Sequence, residues 1–268
     1  LEDCNLYDYQ IMTSYGIDDE SVDIALENEA VADAEAGIEM DYIVETGKDT
    51  KAVYKAISMP ERINLPEVKT GRLPKSADEC VVDNQSSFQV GDVILIDAAN
   101  DKDDLKALTQ KEFKVVGRVT TPLYLDYQRG STKLGDGVLE GYFYITKDAF
   151  DLDYYTGLYV NLKNGKGYFG DEANDFLDDN EKTVKKLASQ INAARREYAI
   201  KEANEQLQEK IVEYEDGVEE FERSKREAYD KLDAAEAQIN ANAKSLAAKK
   251  KEINAQLPVL LSQREQLA

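Results

Sequence analysis

The chain has 268 residues, 33 basic and 54 acidic side chains, a formal charge of −21, and neither histidine nor tryptophan. That length allows one or two domains, and the missing histidine excludes an imidazole general base, a Ser-His-Asp triad and any imidazole metal ligand. Residues 1–170 carry 17 basic against 32 acidic side chains, a balance that repels nucleic acid and anionic lipid headgroups.

Residues 5–15 (NLYDYQIMTSY) alternate polar and apolar and predict a strand that Gly16 ends. Asp18 or Asp19 then caps a short helix over 18–30, with Val22, Ala25 and Leu26 as its inner face. Strands follow near 36–45 and 51–59, the second stopped by Pro60. Pro66, Gly71 and Pro74 punctuate the next stretch, and short strands are predicted at 80–83, 92–97 and 112–123. Residues 98–111 read as a polar loop or short helical turn, and 124–141, with four glycines, as a long structured loop. Strands return at 142–146 and 154–162, and the last of them is expected to pair centrally with the first strand region.

From Asp171 no proline occurs until Pro258, and acidic residues crowd the first turns, where they complement the helix dipole. An early apolar seam runs Val184, Leu187, Ile191, Ala194 and Tyr198. A later one repeats every seven residues at Ile211, Val218, Lys225, Leu232, Ile239, Leu246, Ile253, Leu260 and Leu267, joined by Leu207, Tyr214, Phe221, Ala228 and Ala235. Such a seam cannot be covered by the helix that carries it, so it predicts one half of a coiled coil. The interface residues expected are Ile211, Val218, Phe221, Leu232, Ile239, Leu246 and Ile253. The two seams are offset by one residue, which predicts a local disturbance near 199–206. Asp216-Gly217 leaves two readings open, an unbroken helix or a hairpin turn.

No catalytic constellation stands out. Asp101, Asp103 and Asp104 resemble the start of a calcium loop, but the glycine and glutamate that would complete it are missing. Glycines 130, 135, 137 and 141 are not followed by the Gly-Lys-Ser/Thr of a phosphate loop. Cys4 and Cys80 are too few for a disulfide framework or a four-thiolate zinc site; one bridge or two separate thiols both remain open. Catalytic, cofactor and metal residues are therefore all expected to be absent.

The order NLYDYQIMTSYGIDDESV, GRLPKSADECVVD, VGDVI, FKVVGRVTTPLYLDYQRGSTKLGDGVLEGYFYI and DYYTGLYV resembles the extracellular domain of FtsX/MacB-like ABC transporter permeases, over residues 5–163. It is most similar to the Gram-positive branch whose external domain carries a long coiled-coil insertion. The resemblance implies an α+β fold: a porter-like mixed α/β domain with a β-rich subdomain, followed by a long coiled-coil helix. The divisions expected are a core domain at 1–163, a hinge at 164–172 and the coiled-coil helix at 173–268. Gly71, Arg72, Leu73, Pro74, Arg129, Gly130 and Ser131 are the motif residues, with a structural role. The resemblance also implies membrane tethering on the extracellular face, a cognate cytoplasmic ATPase subunit, a second permease subunit and an external partner such as a cell-wall hydrolase. The function implied is mechanotransmission, the passing of ATP-driven motion to the outside, without enzymatic activity and without cofactor. Leu1 is not a start residue, so the sequence reads as a piece of something longer. A rod-like surface scaffold or adhesin, and a secreted carboxylate hydrolase, are the alternatives.

Overall fold

A computed structural model describes residues 4–48, 50–124, 128–165 and 167–266, with side chains through residue 264. Leu267 of the seam, residues 125–127 of the quoted motif, and Lys166 of the expected hinge lie outside the described residues. The chain divides into two units, Leu1–Ile200 and Lys201–Ala268.

The first unit is a mixed α/β domain with a closed barrel. Its smaller layer is a three-stranded antiparallel sheet in the order β1 (Tyr9–Ile11), β10 (Gly157–Leu162), β2 (Val31–Gly37). Tyr9 pairs with Val160 and Leu158 with Ala36, so the last strand sits centrally and beside the first, as expected from the sequence. The first strand is shorter than the 5–15 predicted. A turn at Thr13–Gly16, with Gly16 at φ +70°, cuts it off on one side. On the other, Asn5 is drawn away to accept from the Asn64 N–H.

Helix α1 (Asp19–Leu26) covers this sheet. Asp18 caps it by accepting from the Ser21 N–H at 2.9 Å, and the Ser21 hydroxyl faces the Asp18 N–H in return. The cap places Ala25 in the apolar core with Ile11, Ile17, Val31, Ala34, Leu158 and Val160. Strand β2 was not legible as such, because VADAEAG offers alanines and acids where a strand usually offers branched residues. The buried Glu35 explains why that composition works. Its carboxylate accepts the backbone N–H groups of Glu61, Arg62 and Ile63 at 2.7–2.8 Å, so the acid organises a neighbouring loop.

The barrel runs β3 (Glu39–Gly47), β4 (Thr50–Ser58), β9 (Leu139–Ile145), β6 (Glu79–Asp83), β8 (Glu112–Thr120), β7 (Val93–Ile96) and closes from β7 back to β3. Pairs β4–β9 and β6–β8 are parallel, and the rest are antiparallel. In β9 the run GYFYI is apolar on both faces. Phe143 and Ile145 point to the barrel interior with Tyr42, Ile94 and Phe113, while Tyr142 and Tyr144 pack on the outer side with Ile57, Val81 and Val119. A strand buried on both faces has this continuous pattern. The edge strand β5 (Glu67–Gly71), read from sequence only as a turn region, extends the barrel along β8. Helix α2 (Lys102–Lys106) fills the expected polar stretch. There Asp101 accepts the Asp103 N–H and Asp103 pairs with Lys106, so these carboxylates serve the helix.

Cys80 is buried in the barrel and Cys4 partly exposed; both are free thiols. Helix α3 spans Asp171–Gln266 and continues through Gly217 and Pro258, which decides between the two readings in favour of the unbroken helix. In the second unit α3 exposes its seven-residue seam, from 40% at Ile211 to 67% at Leu246. No helix among the described residues is long and apolar enough to cross a membrane.

Candidate functional site at the foot of the long helix

The first three residues of the early seam of α3 are consumed inside the first unit, while Tyr198 at its end is half exposed. Val184, Leu187 and Ile191 are buried against the three-stranded sheet and α1, in one core with Ile11, Ala25 and Leu158. Tyr9 of β1 donates its hydroxyl to the Leu177 carbonyl, tying sheet to helix about two turns before Val184. The compact unit that holds this packing ends at Ile200. That end falls within the 199–206 stretch where the two seams change frame.

Arg195 is the polar fastening of this foot. It sits one turn beyond Ile191 on the buried stripe and is only 7% exposed. Its guanidinium donates to the Tyr15 carbonyl at 3.0 Å, to the Gly16 carbonyl at 3.2 Å, and to the Asp18 carboxylate. The ring of Tyr198 lies 5.1 Å from it. Burial alone would raise the Asp18 carboxyl; hydrogen bonds from Ser21 and the Arg195 charge outweigh it and hold the group below the usual carboxylate range. One side chain of α3 therefore binds the turn that ends β1 and the residue that caps α1.

The motif residues from the sequence occupy two other places. Gly71, Arg72, Leu73 and Pro74 lie where β5 ends against β8. Gly71 has φ +80°, and a Cβ there would stand 2.3 Å from the Val116 carbonyl oxygen. Gly117 opposes it, and a Cβ there would stand 2.4 Å from the Arg72 carbonyl oxygen. The Arg72 N–H donates to Val116 at 3.0 Å, and its guanidinium grips Glu79 at 2.6 and 2.5 Å. Arg72 is the main reason that the Glu79 carboxyl falls to about 2. The VGD motif meets the same part of β8, where the Gly91 N–H donates to Val115.

Arg129 anchors the long loop that follows β8. It reaches Asp83 at the end of β6 through bonds of 2.6 and 3.1 Å, with both side chains almost fully buried. The rings of Tyr124 and Tyr142 lie 5.7 and 5.6 Å from its guanidinium. Gly130 takes φ +100° and Ser131 bridges to Val138, so the loop closes on itself beyond the anchor.

Sequence reading missed Arg195, Asp18 as its partner, Asp83 and Glu35. Only Arg195 carried a usable signal, a cation on an otherwise apolar helical stripe. Among the described residues no group of three or more Asp, Glu or Cys side chains is placed to hold a metal ion.

The chain is similar to the extracellular domain of the noncanonic ABC-type transporter YknZ from Gram-positive bacteria. That match has a TM-score of 0.37 and 11% sequence identity, and covers 65% of this chain and 95% of that one. It is also similar to the periplasmic region of MacB from Actinobacillus actinomycetemcomitans. There the TM-score is 0.33 and the identity 11%, over 67% of this chain and 76% of the other. No protein-family profile matches the sequence. No curated protein matches it either.

Proposed function

We propose that this chain is the external domain of an FtsX/MacB-like ABC transporter permease, held on the extracellular face of a cell membrane, and that it passes ATP-driven motion outward. The observation that carries the reading is a helix of 96 residues whose first turns are built into the core of a folded head. The ordered motifs from NLYDYQ to DYYTGLYV add the family to which such a head would belong.

A helix transmits force only if it is fixed at its base. Apolar packing at Val184, Leu187 and Ile191 resists lifting, and the Arg195 fork resists rotation because it holds three points at once. The head would follow membrane-side movement of a second permease subunit and a cognate cytoplasmic ATPase. The seam of Ile211, Val218, Phe221, Leu232, Ile239, Leu246 and Ile253 would be the coiled-coil interface that delivers the motion to an external protein such as a cell-wall hydrolase. On this reading the chain carries no catalytic group, and no cofactor is needed.

The test is to extract the full-length polypeptide containing this chain from native membranes with mild detergent and to identify what copurifies. A nucleotide-hydrolysing subunit in fixed ratio is the expected result. A polypeptide released without detergent, or purified with no ATPase, overturns the proposal.

A further inference from the structure

The loop between β4 and β5 holds a buried amide with one end unengaged. Asn64 is 2% exposed and takes a left-handed backbone at φ +63°. Its Oδ1 accepts the Tyr7 N–H at 3.1 Å, and that bond fixes which end of the amide is oxygen. The other end, Nδ2, has no hydrogen-bond partner among the described residues. A buried donor in that state carries its full desolvation penalty. Asn64 lines a small cavity between the three-stranded sheet and the barrel, with Glu35, Gly37, Ser58, Tyr144 and Tyr159. The space gives the centre of a water molecule about 20 Å³, enough for one and far too little for an organic ligand. Both tyrosine hydroxyls are engaged elsewhere, with Thr121 and Glu39. Two other polar groups of the lining have capacity left. Ser58 Oγ accepts the Ile38 N–H at 2.9 Å but donates to no acceptor among the described residues. The Glu35 carboxylate accepts three N–H groups, and its two oxygens offer about four lone-pair positions.

We propose that this cavity is the binding site of a single structural water. The water accepts from Asn64 Nδ2 and from the Ser58 hydroxyl and donates to Glu35, about the three bonds of a typical buried water. Cavities that stay dry are apolar ones, and this lining holds an unengaged amide donor. Glu35 belongs to β2, Ser58 to β4 and Asn64 to the loop that follows it. One water therefore ties the sheet beneath the helix foot to the barrel and to the loop that Asn5 grips.

Oxygen-17 magnetic relaxation dispersion counts long-lived waters in the folded 268-residue chain, and a high-resolution crystal structure of the same chain locates them. A Cβ at Gly37 would stand 3.5 Å from Ser58 Oγ and 3.1 Å from the Tyr159 ring. Gly37→Ala therefore directs a methyl at the cavity, at a position with no left-handed backbone to strain. This variant should lose the dispersion amplitude of one water. Gly217→Ala, whose Cβ would meet nothing within 4 Å, should lose none. In the crystal a water oxygen should lie about 2.7–3.2 Å from Asn64 Nδ2 and within the same reach of Ser58 Oγ or the Glu35 carboxylate. Unchanged amplitude in a folded Gly37→Ala, or an equal loss in Gly217→Ala, overturns the site. So does a crystal in which Asn64 Nδ2 bonds directly to protein or faces no ordered water. If Gly37→Ala does not fold, the crystal structure of the parent chain decides alone.

Discussion

Replacing Arg195 by alanine removes three contacts with one side chain: the Tyr15 and Gly16 carbonyls and the Asp18 carboxylate. Breaking a buried ion pair from one side costs about 3–5 kcal/mol, because the remaining charge loses its partner. Asp18 keeps 23% of its side chain exposed and can recover some hydration, which places the expected cost near the lower end, about 3 kcal/mol. In a unit of this size each kcal/mol lowers the melting temperature by roughly 2–4 °C, so a fall of about 6–12 °C is expected. Near-UV circular dichroism of the tyrosines is the assay, since it follows packing rather than helix content. Arg195→Lys should fall between, because an ammonium cannot hold three acceptors in fork geometry. Asp18→Asn keeps a capping side chain, and a double-mutant cycle with Arg195→Ala should show a coupling of about 1–3 kcal/mol. Asp18 is held below the usual carboxylate range, so its contribution is fully present above the unfolded value and is lost as pH falls through the folded one. The gap between parent and Arg195→Ala should therefore narrow only in strong acid. A variant that melts within about 1 °C of the parent at neutral pH would refute the clamp, since that is far below the cost of breaking a buried pair.

Gly117→Ala should destabilise the barrel by several kcal/mol, more than the ~1 kcal/mol typical of a point substitution, because its Cβ would stand 2.4 Å from the Arg72 carbonyl oxygen; an unchanged denaturation midpoint would contradict the described crossing of β5 and β8. Burial raises the phenols of Tyr42, Tyr124, Tyr142, Tyr144 and Tyr159, and that of Tyr54 to about 12. A raised folded value means stability lost as pH climbs from the unfolded value through the folded one; ultraviolet titration should show these buried phenols ionising only with cooperative unfolding. Leu232→Asp with Ile239→Asp, both more than 60% exposed, should leave the melting of the first unit unchanged while lowering helix content and any self-association; loss of the head's tyrosine signal would contradict the division at Ile200.

Much of the barrel was legible because its strands alternate or run continuously apolar, as in CVVD, DVILID and GYFYI. Its parallel pairs, β4 with β9 and β6 with β8, were not, since periodicity marks a strand without naming its neighbour. Strands β2 and β5 escaped for opposite reasons. One is built of small and acidic residues around the buried Glu35, and the other is an edge exposed along its whole length. The early helical seam was visible at Val184, Leu187 and Ile191, but a stripe looks the same whether a sheet or another helix covers it. The frame change near Ile200 carried more meaning than either seam alone, because the buried stripe stops where it occurs. Arg195 and Asp83 were hidden by abundance: in a chain with 87 charged side chains, a buried ion pair leaves no mark on composition.

The central claim is that the head and its helix carry nucleotide-driven motion, and interspin distances in the intact transporter test it most directly. With Cys4→Ser and Cys80→Ala in place, spin labels at Leu246→Cys of the two permease subunits would be compared without nucleotide and with ATP under a hydrolysis-blocked ATPase. The account predicts a nucleotide-dependent shift in the distance distribution that Arg195→Ala abolishes or broadens, while the same substitution leaves ATP hydrolysis by the unblocked motor intact. Identical distributions with and without ATP, in a transporter that hydrolyses ATP normally, would contradict it.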